Sequence, residues 1–147
     1  MKYRLTDETK EIFGITLHRI VCVTAFANVA AGELGGWIES EKNLDQCGDA
    51  WVYGDAKVYG NAWVYGNAKV YGNADYIVLK NNWSSGRYFT YTLSNKMWKV
   101  GCFFGTGEEL IKKAYADSEL SGKCYEASVK YVEELIRIKE GLKCRTE

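Results

Sequence analysis

Between residues 48 and 75 the chain reads GDAWVYGDAKVYGNAWVYGNAKVYGNAD, and within each six-residue unit apolar and polar positions alternate. Alternation with a period of two is the mark of an extended strand with one covered face. It places Ala50, Val52, Ala56, Val58, Ala62, Val64, Ala68 and Val70 inward, and Trp51, Lys57, Trp63 and Lys69 outward. Each strand lasts about three residues before Gly-Asn or Gly-Asp, residues that tolerate left-handed backbone angles and so make corners. Hairpins with NG-type turns are the other option, but the order here is Gly-Asn, and strands this short make a poor antiparallel ladder. A hexapeptide parallel β-helix fits the spacing better.

The flanks lose this period. Residues 1–35 hold two β-like runs, KYRL and GITLHRIVCV, separated by the polar TDETKE, and predict an N-terminal β cap. AAGELGGW is a glycine-rich turn into the repeat, and two degenerate hexads run from Gly36 to Cys47, so the repeat region is 36–77. DYIVLK predicts a strand and NNWSSG a loop; RYFTYTL-SNK-MWKVGCFF then predicts a hairpin with a three-residue loop, within 78–106. If Leu93 pairs with Met97, then Tyr91 faces Lys99, Phe89 faces Gly101 and Arg87 faces Phe103. One face would carry Arg87, Phe89, Tyr91, Lys99 and Phe103; the other would carry Tyr88, Thr90, Thr92, Trp98, Val100, Cys102 and Phe104. Residues 107–147 are helical: GTGEELIKKA has Thr106 at the N-cap and Glu109 at capping-box spacing. A second helix runs from about Gly122 to Lys139 with Tyr125, Val129, Val132 and Ile136 as its apolar stripe, and the tail GLKCRTE is expected to fray. Length and the lack of a linker make the whole chain, 1–147, one domain.

The hexads resemble the left-handed β-helix of hexapeptide-repeat proteins. The frame KYRLTDETKEIFGITLHRI, GELGGWIESEKNL and GCFFGTGEELIKKA resembles small hexapeptide-repeat proteins of phages and prophages. The resemblance implies a mainly β fold: a short left-handed parallel β-helix, capped by an N-terminal β segment, a C-terminal β-hairpin and two helices. Three hexads then make one turn, so residues 18 apart stack at the strand spacing of about 4.8 Å. Trp51 would lie over Lys69, Tyr53 over Tyr71, Asp49 over Asn67 and Asp55 over Asn73. Outward Trp51 and Trp63 would leave apolar area exposed on a single copy, and hexapeptide coils are commonly trimeric, so a homo-oligomer, a trimer, is the expected assembly.

Chemistry is sparse. Lys plus Arg and Asp plus Glu number 19 each, so nucleic acid is not an expected partner; no apolar run spans a membrane, and the start, MKYRLTDETK, is unlike a leader peptide. Five scattered cysteines (Cys22, Cys47, Cys102, Cys124 and Cys144) form no CxxC pair, which reads as idle thiols in a reducing cytosol. Hexapeptide acyltransferases typically use a histidine base, and γ-class carbonic anhydrases bind metal through three; this chain has His18 alone, outside the repeat. Asp49, Asp55 and Asp75 are explained by corners. No catalytic residue, metal or cofactor is therefore assigned.

What remains is the face of Arg87, Phe89, Tyr91, Lys99 and Phe103, two cations among aromatics, which suits a planar anion such as a nucleotide. Thr106 at a helix N-terminus could add a phosphate contact, although Glu108 and Glu109 already satisfy that helix end, and Trp51 or Trp63 could close the pocket from a neighbouring subunit. The ordinary alternative is a half-exposed face with snorkelling cations. Combined with the resemblance, this gives the leading expectation: a non-catalytic phage-type binding protein, cytoplasmic in a bacterial host cell, that sequesters a small nucleotide-derived immune signal to counter defence. The alternatives are a structural oligomerisation module, an inhibitor of a host defence protein, and a minimal hexapeptide-repeat acyltransferase.

Overall fold

The computed structural model describes residues 1–146; the side chains of residues 143–147, Cys144 among them, lie outside the described residues. A long hairpin opens the chain, β1 (Tyr3–Ile12) with β2 (Ile15–Cys22), turned at Phe13 and Gly14, both at positive φ. The polar TDETKE was expected to separate a pair of strands. It is instead the middle of β1, with the register broken between Leu5 and Thr9. Polar residues are tolerated there because β1 is an edge strand whose side chains from Asp7 to Thr9 face water.

β3 (Leu34–Ile38) adds antiparallel to β2, and β5 (Lys57–Val58) adds parallel to β3, completing a four-stranded mixed sheet. β4 (Trp51–Val52) and β6 (Lys69–Val70) make a separate two-stranded parallel sheet. β7 (Tyr76–Lys80), β8 (Tyr88–Thr92), β9 (Met97–Val100) and β10 (Phe103–Gly105) form a four-stranded antiparallel sheet in the order β10-β9-β8-β7. Helices α1 (Gly107–Asp117) and α2 (Glu119–Thr146) follow, so α2 continues through the tail expected to fray.

The expectation of one left-handed parallel β-helix is thereby overturned: pairing is divided among a mixed, a parallel and an antiparallel sheet. The offset of 18 residues holds for Trp51 with Lys69 and Val52 with Val70. Elsewhere the parallel partners of the repeat come from further upstream, Trp37 with Lys57 and Leu44 with Val64. Strands of two residues carry too few ladder bonds to build a continuous sheet of their own, so β5 attaches to the edge that β3 offers while β4 and β6 pair only with each other.

The alternation of the hexads nevertheless decides what is covered. All eight inward Ala and Val residues from Ala50 to Val70 are at most 3% exposed, in one core with Tyr3, Ile20, Ile38 and Leu44. Tyr53 stacks on Tyr71 with ring centroids 4.5 Å apart and 16° between planes. Gly66 turns its corner at φ +68, and a side chain there would run into the Phe104 ring. Gly72 breaks the series: its backbone is extended, and the Asp75 carboxylate accepts from the amides of Tyr71 and Gly72 at 2.6 and 3.0 Å. An aspartate side chain ends the repeat where a left-handed glycine would have continued it.

The antiparallel sheet has two covered faces. Tyr76 and Val78 pack toward the repeat, while Ile77 and Leu79 join a second core with Phe89, Tyr91, Trp98, Leu110, Tyr125, Val129 and Val132 beneath the helices. The expected α2 stripe of Tyr125, Val129, Val132 and Ile136 is the face that covers this sheet. Among the described residues no helix is long and apolar enough to cross a membrane.

Candidate functional site

The β8–β9 hairpin is one residue out of the expected register. Thr92 pairs with Met97, Tyr91 with Trp98 and Thr90 with Lys99. The loop is Leu93–Lys96, four residues, held by Asn95: its Oδ1 accepts from Thr92 Oγ1 at 2.6 Å and from the Met97 amide at 3.3 Å, and Lys96 takes a left-handed φ of 56°. A one-residue slip exchanges the faces of every side chain on the slipped strand. Trp98 therefore replaces Lys99 beside Tyr91, and Lys99 turns to the repeat.

That exchange dismantles much of the expected aromatic platform. Phe89 and Tyr91 are buried beneath the helices, with Phe89 edge-on to Tyr125 and Trp98 4.8 Å from Tyr91. Phe89 is thereby closed to a ligand, while Tyr91 keeps 8% of its surface and lines a cleft beside Trp98. Lys99 is 7% exposed, with its ammonium 4.5 Å from the Trp63 ring and 4.1 Å from that of Tyr65. It joins the sheet to the repeat as an internal cation–π contact. Trp63, half-exposed, is occupied on one face by that lysine. Trp51, expected outward, is fully buried: Tyr3 and Phe26 pack edge-on to it at 6.3 and 5.4 Å, because the N-terminal hairpin folds over this side of the repeat. It cannot reach a ligand, and it supplies no exposed surface for assembly.

Thr106 does what its capping-box spacing predicts. Its hydroxyl accepts from the Glu109 amide at 3.3 Å, and Glu109 Oε1 accepts from the Thr106 amide at 2.9 Å. Those bonds hold the Glu109 carboxyl below its ordinary value. Thr106 and the expected Tyr91 meet at a wide cleft of about 740 Å³ with Trp98, Ile111, Val129 and Ile136, whose rim charges, Lys96 and Arg137 against Glu108, Glu133 and Glu140, leave no surplus of cations.

Two further expected residues converge on a second cleft. Arg87 and Phe103 border a cleft of about 280 Å³ together with Lys113, Tyr125, Cys102 and Asp117. Arg87 is exposed, at the foot of β8, and its guanidinium lies over Gly101, where a Cβ would be 2.9 Å from Nη1. Gly101 has φ +55 at the turn between β9 and β10, so the sharp turn also makes room for the guanidinium. Tyr125 is anchored from behind: Asn81 Nδ2 donates to its hydroxyl at 3.2 Å, while Asn81 Oδ1 accepts from the Trp83 and Ser84 amides. Burial pushes the Tyr125 phenol up, partly opposed by the Asn81 bond and the charge of Arg87. Among the described residues no carboxylate lies within ion-pair distance of Arg87 or Lys113.

Lys113 and Tyr125 were not among the residues expected from sequence. Lys113 precedes the buried Ala114 and flanks the stripe of α1; that periodicity was readable, but its meeting with Arg87 depends on how α1 crosses the sheet. His18 sits half-buried in β2, between Thr9 and Ile38, on a different sheet from the cleft. Among the described residues no group of three or more His, Cys, Asp or Glu could hold a metal ion. Cys22 is buried, its thiol raised by burial, and Cys47 and Cys102 are exposed free thiols.

No family model matches the chain. A 60-residue stretch is 35% identical to "Uncharacterized acetyltransferase YdcK" of Escherichia coli strain K12, covering 35% of this chain and 18% of that protein. The chain is thus similar to a segment amounting to less than a fifth of that relative's length.

Proposed function

We propose that the protein binds a small anionic, ring-containing ligand without transforming it, at the cleft of Arg87, Lys113, Phe103 and Tyr125. The observation that carries this reading is the convergence of two cations, neither paired with a carboxylate among the described residues, on a cleft walled by two aromatic rings. A guanidinium offers a bidentate fork to phosphate, and an ammonium offers a point charge. Phe103, half-buried at the rim, gives a face for a ring. A volume of about 280 Å³ admits a phosphate with one ring or sugar, so a larger nucleotide would extend past the rim. Asp117 on the same wall would favour a ligand that also carries a donor, as a nucleobase or ribose does. The resemblance to phage proteins extends the reading to a host signal of nucleotide type that is withheld from its receptor.

The test is capture and release. The protein is incubated with a panel of nucleotides, freed of unbound material, denatured by heat, and the released compound analysed. Intact ligand in fixed proportion to protein is expected, and Arg87→Ala and Lys113→Ala should each lower capture at least tenfold while leaving thermal unfolding unchanged. Equal capture by both variants would move the site elsewhere.

The similarity to an acetyltransferase segment supports a second reading, acyl transfer, in which His18 would be the one histidine available as base. Turnover of an acetyl donor that is lost in His18→Ala and indifferent to Arg87→Ala would establish that reading in place of the first.

A further inference from the structure

The inner stripe of α2 is spent on the antiparallel sheet, yet α2 carries a second apolar stripe. Tyr131, Leu135, Ile138 and Leu142 follow one another at intervals of four, three and four residues. On an α-helix this series lies roughly 120° around from Tyr125, Val129, Val132 and Ile136, so one neighbour cannot cover both. Tyr131, Ile138 and Leu142 are 54, 44 and 55% exposed, and Leu135 is half-buried. From Arg137 to Leu142 every α2 side chain is exposed, so this end of the helix stands clear of the chain's own cores.

We propose that this stripe is the seam of a parallel coiled coil between copies of this chain. The intervals fix the heptad, since a step of three runs from a to d and a step of four from d to a. Leu135 and Leu142 are then a positions, and Tyr131 and Ile138 are d positions. Glu134 falls at g and Lys139 at e of the following heptad, five residues on. In a parallel coil these two face each other across the seam with opposite charge; an antiparallel coil would set g against g and e against e. Glu134 already pairs with Arg137 on its own helix, but Arg137 is a c position, outside the seam, and both side chains are more than half exposed. Leucine at a with isoleucine at d disfavours two strands and favours three or four. A second copy is the occupant this charge pattern fits: the stripe supplies both members of the cross-seam pair by itself. The inference is independent of the ligand cleft, which α2 borders only through Tyr125.

Sedimentation or light scattering of the intact chain at about 100 µM tests it. The expected mass is three or four times 16.6 kDa. Ile138→Lys should reduce it to one chain with unchanged circular dichroism, because the residue contributes little to the single chain's core, and the thermal midpoint, which rises with concentration in the parent, should become independent of concentration. Glu134→Lys alone should weaken assembly several-fold, and Glu134→Lys with Lys139→Glu should restore it. A parent that runs as one chain at this concentration, or an assembly that survives Ile138→Lys, overturns the proposal. A two-chain mass lost on Ile138→Lys keeps the seam and overturns the strand number; failure of the charge swap to restore assembly overturns the parallel direction.

Discussion

Lys99 shows how one side chain's position changes the meaning of a whole face. Its ammonium rests on Trp63 and Tyr65, while Thr90 Oγ1, one strand over, accepts from the Trp63 amide at 3.0 Å. Truncating Lys99 to Ala removes the cation and its apolar stem together, and should cost about 1–2 kcal/mol in urea unfolding. Lys99→Met, which keeps the stem, should cost less, and neither change should alter ligand capture; a lost ligand with an unmoved midpoint would return Lys99 to the binding site. In the other core, Val64→Asp buries a charge with no partner and should cost several kcal/mol, whereas Lys57→Asp on the outer side should cost little. The inward set of the hexads was legible because alternation depends on the local pleat alone. Trp51 was not, because the same pattern that turns it from the repeat's interior cannot say that Tyr3 and Phe26 will cover it. Lys99 was missed for a smaller reason, one residue of loop length decided by the side chain of Asn95.

At the level of elements, local signals served best where a short-range bond decides the outcome. The capping box was readable from Thr106 and Glu109, and the inner stripe of α2 from its spacing. Thr106→Ala leaves the Glu109 amide without its acceptor and should lower stability by about 0.5–2 kcal/mol, measured by thermal or urea unfolding. The reciprocal bond gives a pH signature. The Glu109 carboxyl sits below its ordinary value of 4.5 in the folded chain, so its contribution is present above that value and is lost as pH falls through the lower folded value. Glu109→Ala and the parent should therefore converge in stability in acid, below about pH 4.5, whereas Thr106→Ala, which keeps the backbone amide that faces the carboxylate, should stay below the parent there; a Glu109→Ala deficit that persists undiminished in acid would mean that the carboxylate's charge plays no part in the cap. Sheet membership was the least legible feature. Two-residue strands such as β4, β5 and β6 specify no partner by themselves, and the mixed sheet arises because β3 offers an edge 20 residues upstream of Lys57. A single coil was the reading favoured by the spacing of the hexads, and the contest it lost was between distant edges.

The repeat is held from both sides by phenols, Tyr3 buried and Tyr76 half-buried, which makes the whole molecule sensitive to alkali. From the cap, Tyr3 donates to the carbonyl oxygens of Glu41 and Leu44 at 3.1 and 2.6 Å. From the antiparallel sheet, Tyr76 donates to the Lys57 carbonyl at 2.9 Å. Burial raises both phenols, Tyr76 to about 12 and Tyr3 further still, with the charges of Glu41 and Asp45 adding to the burial of Tyr3. A folded value above the unfolded one means that the stabilisation is complete below about pH 10 and is withdrawn as pH climbs toward the folded value. Lys2 works the other way. Its ammonium donates to the Ala50 carbonyl at 2.7 Å, yet burial lowers its value from 10.5, so the cost of keeping it charged is relieved on approach to that pH. Relief ends near where the phenols begin to titrate, so stability measured by urea midpoint should hold to about pH 10 and then fall steeply. Tyr76→Phe should be less stable than the parent at pH 8, where the hydrogen bond is lost, and should decline less between pH 10 and 12. Parallel curves for Tyr76→Phe and the parent across that window would show that the phenol is free to ionise in the folded chain, and that the sheet is joined to the repeat by the Lys99 contact and its neighbouring hydrogen bonds without it.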